Sequence, residues 1–502
     1  MTTLVRPPLS FMQSLLAMLG ISLVLMLAAL DQTVIGNALP SIVADLNGFE
    51  SYAWVGTGYL LTSIITIPIF GRLGDYYGRK PFVVAATLIF TFASLWCGLA
   101  HSITQLIIAR ALQGIGGGML IGTTFACIPD LFPDTQQRLR WQVLLSSAFS
   151  VVNALGPLLG GVLTSHYGWR SVFYLNIPMG GLALFFAWRY LPWFHPAENS
   201  PIRLDVLGAI LTIIALGGLQ LCVEWIPQAK YLSAWSVGGL SVLAGMGLVV
   251  WENRCSAPLV PPALLVKGGL RTLFSVSALV GAVMFALLFY MPLLFQGGYG
   301  YSPSDAGILM TPMVLSITLG AIINSRIIRY FKSPNTLPKV GLVALLVACL
   351  GLGLCGRQAP FALLLGLMLL AGGGLGFVLL NLTLFTQTLA KQRHMGIATA
   401  LLQSLRLAGG LLGAAVMGAS VTFFYRHFLW LHSASLPTAS LALLQDPQTL
   451  LKSVTVSPQV QDAARDALSS AMSAGLKGAA CVTGLALWRL FRLPHVPLFG
   501  DK

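Results

Sequence analysis

Long apolar runs recur along this chain, each close to the length of a bilayer-crossing helix, and nothing else constrains its folding as much. A helix needs roughly 20 apolar residues to cross the hydrocarbon core. In lipid every backbone N–H and C=O must be satisfied within the protein, so only helices and closed barrels cross. Barrel strands alternate apolar and polar residues with period two. These runs are continuously apolar, which selects helices. Composition agrees: 56% of the 502 residues are hydrophobic and 9% are charged. Soluble domains carry about 25% charged residues, and a single soluble core stops growing near ~250–300 residues.

The runs predict fourteen spans. Six lie near Leu15–Leu30, Tyr52–Phe70, Phe82–Ala100, Gln105–Cys127, Trp141–Leu163 and Val172–Leu191. Two follow near Val206–Ile226 and Trp235–Trp251. The last six lie near Leu273–Phe295, Ala306–Ile328, Val340–Gly356, Phe361–Leu384, Ala398–Phe424 and Met472–Leu490. The first run does not read as a signal peptide. Only Arg6 precedes it, no small-residue cleavage site follows, and Asp31 sits at its end.

A net charge of +14 raises the question of nucleic acid, but the basic residues sit in short loops between spans. With the N-terminus inside, twenty Lys and Arg fall on inner segments and seven on outer ones. That is the positive-inside bias. It makes a lipid bilayer with anionic headgroups the partner of this charge, and excludes nucleic acid. Both termini are then cytoplasmic.

Several chemistries are missing. The seven cysteines form no CxxC pair and no metal-ligand spacing. The seven histidines fall in loops or at span ends, away from acids, so neither a catalytic cluster nor a metal site is expected. Gly351-Leu352-Gly353-Leu354-Cys355-Gly356 matches GxGxxG formally. It lies inside an apolar span with no preceding strand, so it reads as helix-packing glycine. No phosphate-loop motif occurs, and no cofactor is expected.

An internal repeat is present. Gly156-Pro157-Leu158-Leu159-Gly160-Gly161 in the fifth span is similar to Gly409-Gly410-Leu411-Leu412-Gly413-Ala414 in the thirteenth. Gly116-Gly117-Gly118 in the fourth is similar to Gly372-Gly373-Gly374 in the twelfth. Either glycine-rich helices coincide by chance, or a six-helix unit is repeated around two inserted spans. Parallel repeats of this kind are a transporter plan, with substrate held between the halves near the midplane. The division is then an N-terminal bundle over 1–204, an inserted pair over 205–252, and a C-terminal bundle over 253–502 with an outer loop at 425–471. Within that loop, Asp446–Lys452 and Asp462–Leu468 read as short amphipathic helices. The loop is either a solvated connector or a docking point for a periplasmic adaptor.

Charges within spans mark function, because each is costly in lipid and faces a cavity or a partner. Asp31, Arg110 and Arg406 are the candidates. A carboxyl group withdrawn from water parts with its proton less readily, so Asp31 is either a proton carrier or an interfacial acid facing water. Arg110 heads a stripe of Gly114, Gly118 and Gly122 on one helix face. It either contacts substrate, modulates a nearby carboxylate, or pairs permanently to hold the bundle. Arg406 precedes Gly409 and Gly413 and either lines the cavity from the other bundle or is structural.

At this point the motifs carry a resemblance. Gly71-Arg72-Leu73-Gly74-Asp75-Tyr76-Tyr77-Gly78-Arg79-Lys80 resembles the loop signature of the major facilitator superfamily, between spans two and three. Arg110-Ala111-Leu112-Gln113-Gly114-Ile115-Gly116-Gly117 is similar to the fourth-helix motif of its fourteen-helix drug:proton antiporter branch, the QacA/EmrB type. Gly156, Pro157, Gly160 and Gly161 resemble the fifth-helix signature of exporters. Leu30-Asp31-Gln32-Thr33-Val34 through Asn37-Ala38-Leu39-Pro40 resembles the branch's first-helix motif. The C-terminal half adds Gly300-Tyr301-Ser302-Pro303; its own copy of the loop signature, near Asn324–Lys332, is degraded.

The resemblance implies an all-α membrane protein, two six-helix bundles with two helices inserted, working by alternating access as a secondary transporter and not as an enzyme. It implies a cytoplasmic gate at Gly71, Asp75, Gly78, Arg79 and Lys80, with Gly71 and Gly78 permitting the tight turn. It implies proton coupling or substrate contact at Asp31, Arg110, Gln113, Asn37 and Arg406. Gly156 and Pro157 imply a kinked or thinned export helix. The expected function is proton-coupled export of small amphiphiles or drugs; the alternative is a dedicated exporter of one metabolite, such as a siderophore or fatty acid. The partners are then protons and a small molecule. No acidic residue lies within the C-terminal spans, which favours neutral, anionic or singly charged substrates over dications.

Overall fold

The computed structural model describes residues 11–132, 141, 152–153, 155–192, 205–226, 230–255, 258, 268–330, 335–431 and 458–493. Among these residues the chain is helical, with no strand, and thirteen segments are long and apolar enough to cross a membrane. The first four helices are α1 (Phe11–Leu46), α2 (Tyr52–Tyr77), α3 (Lys80–Gly98) and α4 (Ile103–Leu131). Much of the first half of the expected fifth span, Trp141–Leu163, lies outside the described residues. Its remainder is helical over 155–167 and is α5. A short turn at Arg170–Tyr174 leads into α6 (Asn176–Tyr190). Next come α7 (Val206–Trp225) and α8 (Tyr231–Arg254). They are followed by α9 (Gly268–Leu293), α10 (Pro303–Ile327), α11 (Thr336–Leu354), α12 (Phe361–Leu431) and α13 (Pro458–Phe491).

Three sequence expectations need correction. The first span was expected to end at Leu30, but α1 continues to Leu46, so Asp31 lies inside the helix. Hydropathy stops where a polar residue interrupts an apolar run. A helix continues because its backbone is satisfied internally, and here the polar side chains find partners too. Thr33 Oγ1, for example, donates back to Ala29 O (3.2 Å). The second correction concerns Gly71, which is an ordinary helical residue of α2; the turn into α3 is made by Gly78, at φ +87°. A positive φ there costs glycine nothing and strains any other residue.

The third correction is that Asp462–Leu468 is no separate short helix. It forms early turns of α13, continuous with the last span. Asp446–Lys452, its expected companion, lies outside the described residues. The expected spans Phe361–Leu384 and Ala398–Phe424 are both present, as the apolar stretches Phe361–Ala390 (α12a) and Leu401–Leu429 (α12b) of α12. Their directions nonetheless differ. α12a runs parallel to α10, since Ser316 Oγ donates to Leu369 O (2.9 Å) and Asn324 Nδ2 to Phe377 O (3.1 Å). α12b runs parallel to α9, since Ser277 Oγ donates to Leu402 O (3.0 Å) and Gly410 packs on Phe285. The turn at 299–302 makes α9 and α10 antiparallel, so the chain reverses between Phe377 and Leu402.

The repeated glycines occupy equivalent places. Gly116 packs on Phe90 of α3, and Gly118 on Ser63 and Thr66 of α2. Gly374 packs on Gly341 and Leu345 of α11, and Gly372 on Met313 and Ser316 of α10. In both cases the glycine-rich helix is wedged between the two helices before it. Likewise α5 lays Gly156 and Gly160 on Thr33 and Val34 of α1, while α12b lays Gly409 and Gly413 on Ala278 and Ala282 of α9. Small residues at a helix crossing let the backbones approach, which is how packing is gained where lipid supplies no hydrophobic drive.

The two sets of helices meet at one end of the molecule. Tyr52 Oη donates to Phe289 O (2.6 Å), Gln296 Nε2 to Asn37 O (3.0 Å), and Ser304 Oγ to Ser165 Oγ (3.0 Å). Gly161 of α5 also packs on Pro303 and Gly307 of α10. α7 lies against α2 and α12 and is pinned to α2 by Gln220 donating to Thr57. α8 presents Leu232, Trp235 and Met246 outward, the surface that lipid requires.

Candidate functional site

Inside the first six helices lies a closed polar cluster drawn from five elements. α1 supplies Asp31, α3 Ser94 and Cys97, α4 Arg110 and Gln113, α6 Asn176, and α2 a backbone carbonyl. Arg110 and Gln113 are three residues apart on one helix and so share a face. Asp31 and Arg110 are each 1% exposed, and Gln113 is 0% exposed, so no solvent competes for their bonds.

The contacts converge on one carboxylate. Arg110 Nη1 donates to Asp31 Oδ2 (2.6 Å) and to Gln113 Oε1 (2.7 Å). Gln113 Nε2 donates to Asp31 Oδ1 (2.8 Å), and Asn176 Nδ2 donates to the same oxygen (3.3 Å). Three of these four contacts bring a donor to Asp31, whose two carboxyl oxygens accept them all. A second layer holds the donors. Asn176 Nδ2 also donates to Ser94 Oγ (2.9 Å), Ser94 Oγ donates to Phe173 O (2.9 Å), and Cys97 Sγ faces Gln113 Oε1 (3.6 Å).

Arg110 is fixed along its length. Its Nε donates to Val55 O on α2 (3.1 Å), and its guanidinium carbon lies 4.8 Å from the centroid of the Tyr59 ring. The stripe behind it explains the reach. Gly114 and Gly118 press against Tyr59, Thr62, Ser63 and Thr66, bringing α2 close enough for Val55 to be an acceptor. Burying an ion pair costs several kcal/mol per ion unless geometry and extra bonds offset it. This network supplies both. Protonation of Asp31 would remove its charge and oblige one of its three donors to find another acceptor.

The other candidates are placed differently. Asn37 lies one face away from the cluster: its Nδ2 donates to Pro157 O (2.6 Å), and its carbonyl receives Gln296. It therefore ties α1 to α5 and to the second set of helices. Gly156, Gly160 and Gly161 serve close approach, as above. Arg79 precedes α3 and packs on Gly74, and Lys80 opens α3. The side chain of Asp75 lies outside the described residues. Arg406 is half-buried on α12b, its Nε sealed from solvent without a hydrogen-bond partner. The structure does not bring it to Asp31 or Arg110.

Sequence reading missed Ser94 and Asn176. Each is a lone polar residue in an apolar run, a signal that many uninvolved serines and asparagines share. Asn176 stood out a little more, two residues before Pro178.

Comparison with known proteins follows the same lines. Residues 21–414 match the family described as Major Facilitator Superfamily. The Multidrug transporter protein MdtP of Bacillus subtilis (strain 168) is 31% identical over 404 residues, spanning 80% of this chain and 74% of that one. Multidrug resistance protein 3 of the same organism is 29% identical over 470 residues, spanning 91% and 90%. Among solved structures, a bacterial homologue of the human lysosomal transporter Spinster, in an inward-facing and unoccupied conformation, superposes with a TM-score of 0.68. It is 17% identical and covers 97% of this chain and 100% of that one. At that identity the likeness speaks for the fold alone.

Proposed function

The chain belongs to the major facilitator superfamily, and from that premise we propose that it is a proton-coupled antiporter exporting small amphiphilic molecules across a bacterial cytoplasmic membrane. In this reading it has fourteen spans, both termini inside, and two bundles that rock about a central site. The observation that carries it is the buried cluster around Asp31. A carboxylate held by three donors, one of them a guanidinium, is a place where one proton changes the bonding of α1, α4 and α6 together. The names of the relatives support efflux of drugs as the task.

The mechanism follows from the contacts. With Asp31 ionised, Arg110 and Gln113 hold α1 to α4. A proton arriving at Asp31 weakens that hold and leaves Arg110 with Gln113, Val55 and the Tyr59 ring. With the N-terminus inside, as this reading has it, the contacts at Tyr52, Gln296 and Ser304 lie on the outer side, where they close the exit. The change at α1 reaches them through Asn37, which lies six residues from Asp31 on the same helix. Substrate taken up from the inner side with Asp31 ionised breaks these contacts and opens the outer side. A proton from outside then binds Asp31 as substrate leaves, the outer contacts re-form, and the proton is released inside.

The test uses everted vesicles with an imposed inside-acid gradient and a panel of dyes, antibiotics and fatty acids. At least one compound is expected to dissipate the gradient with the wild-type protein and not with Asp31→Asn. If no compound does so with folded protein, proton antiport of amphiphiles is wrong.

A further inference from the structure

Arg406 stands on α12b opposite Gly281, and Gly281 lies near the middle of the 26-residue α9. That register puts a guanidinium deep in the membrane. Its own stem lies on Gly281, and on the same face Leu402, Gly409 and Gly413 pack on Ser277, Ala278 and Ala282. A charge at such depth requires a partner.

No described carboxylate beyond residue 268 can supply one. The candidates are Asp305, Asp462 and Asp466. Asp305 sits in the first turn of α10 and receives Ser302 Oγ (2.7 Å). Asp462 and Asp466 receive Arg357, at 2.9 and 3.2 Å, beside the connection that precedes α12. All three lie at the end where the two sets of helices meet. Asp31 is fully engaged with Arg110, Gln113 and Asn176. Arg406 therefore has no acidic partner among the described residues of its half, and its Nε is unsatisfied.

We infer that Arg406 binds the anionic headgroup of an amphiphile, a carboxylate or a phosphate, whose apolar part lies in the space between the halves. A guanidinium suits this ligand because its planar donors match the two oxygens of such a group. α12b is packed on α9 within its own half, and α12 also contacts α2 of the other half. The ligand has two possible sources, an anionic substrate or an anionic bilayer lipid. The inference rests on the chain being an exporter of amphiphiles, but its test reads binding and not antiport, so either idea can fail alone.

The experiment places the purified protein in phosphatidylcholine nanodiscs and titrates decanoate and decanol, with empty nanodiscs subtracted. Wild type is expected to prefer the anion by roughly tenfold or more, the scale of a charge-assisted hydrogen bond. Arg406→Gln should abolish the preference while still binding decanol, which shows that the variant is folded. Arg406→Lys should retain part of it. Repeating the titration with phosphatidylglycerol present identifies the source. Weakened decanoate binding assigns the site to a lipid headgroup, and unchanged binding assigns it to a substrate. Equal affinity for the two probes in wild type, or an undiminished preference in Arg406→Gln, would overturn the inference.

Discussion

Arg110 and Arg406 each rise from a helix that a row of glycines brings against its neighbour, yet their surroundings are opposite. Arg110 is enclosed by a carboxylate, an amide, a backbone carbonyl and an aromatic ring, and its charge is matched at 2.6 Å. Arg406 has no acidic partner among the described residues, and its Nε bonds to nothing. The same helix packing supports both, so packing did not decide the difference. Arg110 has its counter-charge within its own half, and Arg406 has none among the described residues of its half.

The comparison can be broken by removing charges one at a time. Asp31→Asn should have the largest effect, because it leaves Arg110 buried and unmatched. Removing one partner of a buried pair costs about 3–5 kcal/mol, read as a clear fall in apparent Tm, and pH-driven transport should drop to background. Arg110→Gln should do nearly the same. The double variant should be less unstable than the two losses added, since no lone charge remains.

Next come the glycine seams, which should behave alike in the two halves. Gly114→Val would drive a side chain into Tyr59 and Thr62, and Gly413→Val into Ala282. Overpacking of this kind costs about 1–3 kcal/mol. Gly181→Val, where nothing lies within 4 Å, is the control and should be silent in thermal denaturation. Unequal losses at Gly114 and Gly413 would show that the repeat is not an equivalence of packing.

Two smaller effects sharpen the contrast. Arg357 bridges Asp462 and Asp466, but those carboxylates are 59% exposed. Water and salt screen such a pair, so Arg357→Gln should cost less than about 1 kcal/mol and lose even that at high salt. Arg406→Gln should cost nothing in ligand-free protein, because it relieves an unmatched charge. A fall in Tm like that of Arg110→Gln would mean that Arg406 has a protein partner after all.

Much of this was legible in the residues. Apolar run length marked the spans, and the motif around Arg110 correctly placed its glycines against a neighbouring helix. The spacing of Arg110 and Gln113 put them on one face. What the sequence hid was three-dimensional. Asp31 read as the end of a span because its charge interrupts the apolar run, whereas α1 runs on through it. Asn176 and Ser94 lie 145 and 82 or fewer positions from their partners in the cluster, and nothing local marks them. Asn37 looked equal to Asp31 in the same motif. A helix turns 100° per residue, and that rotation sends Asn37 to the seam. Arg406 was visible as a charge, but its lack of a partner appears only when the nearest carboxylates are located.

The central claim is that Asp31 is the carboxylate that takes up the proton. Infrared difference spectroscopy on a downward pH jump, in wild type and Asp31→Asn, addresses it directly. The account predicts a protonated-carboxyl band that grows in wild type and is missing from the variant, together with a shift in the guanidinium bands of Arg110. The same band in both proteins would place the proton elsewhere and contradict the account.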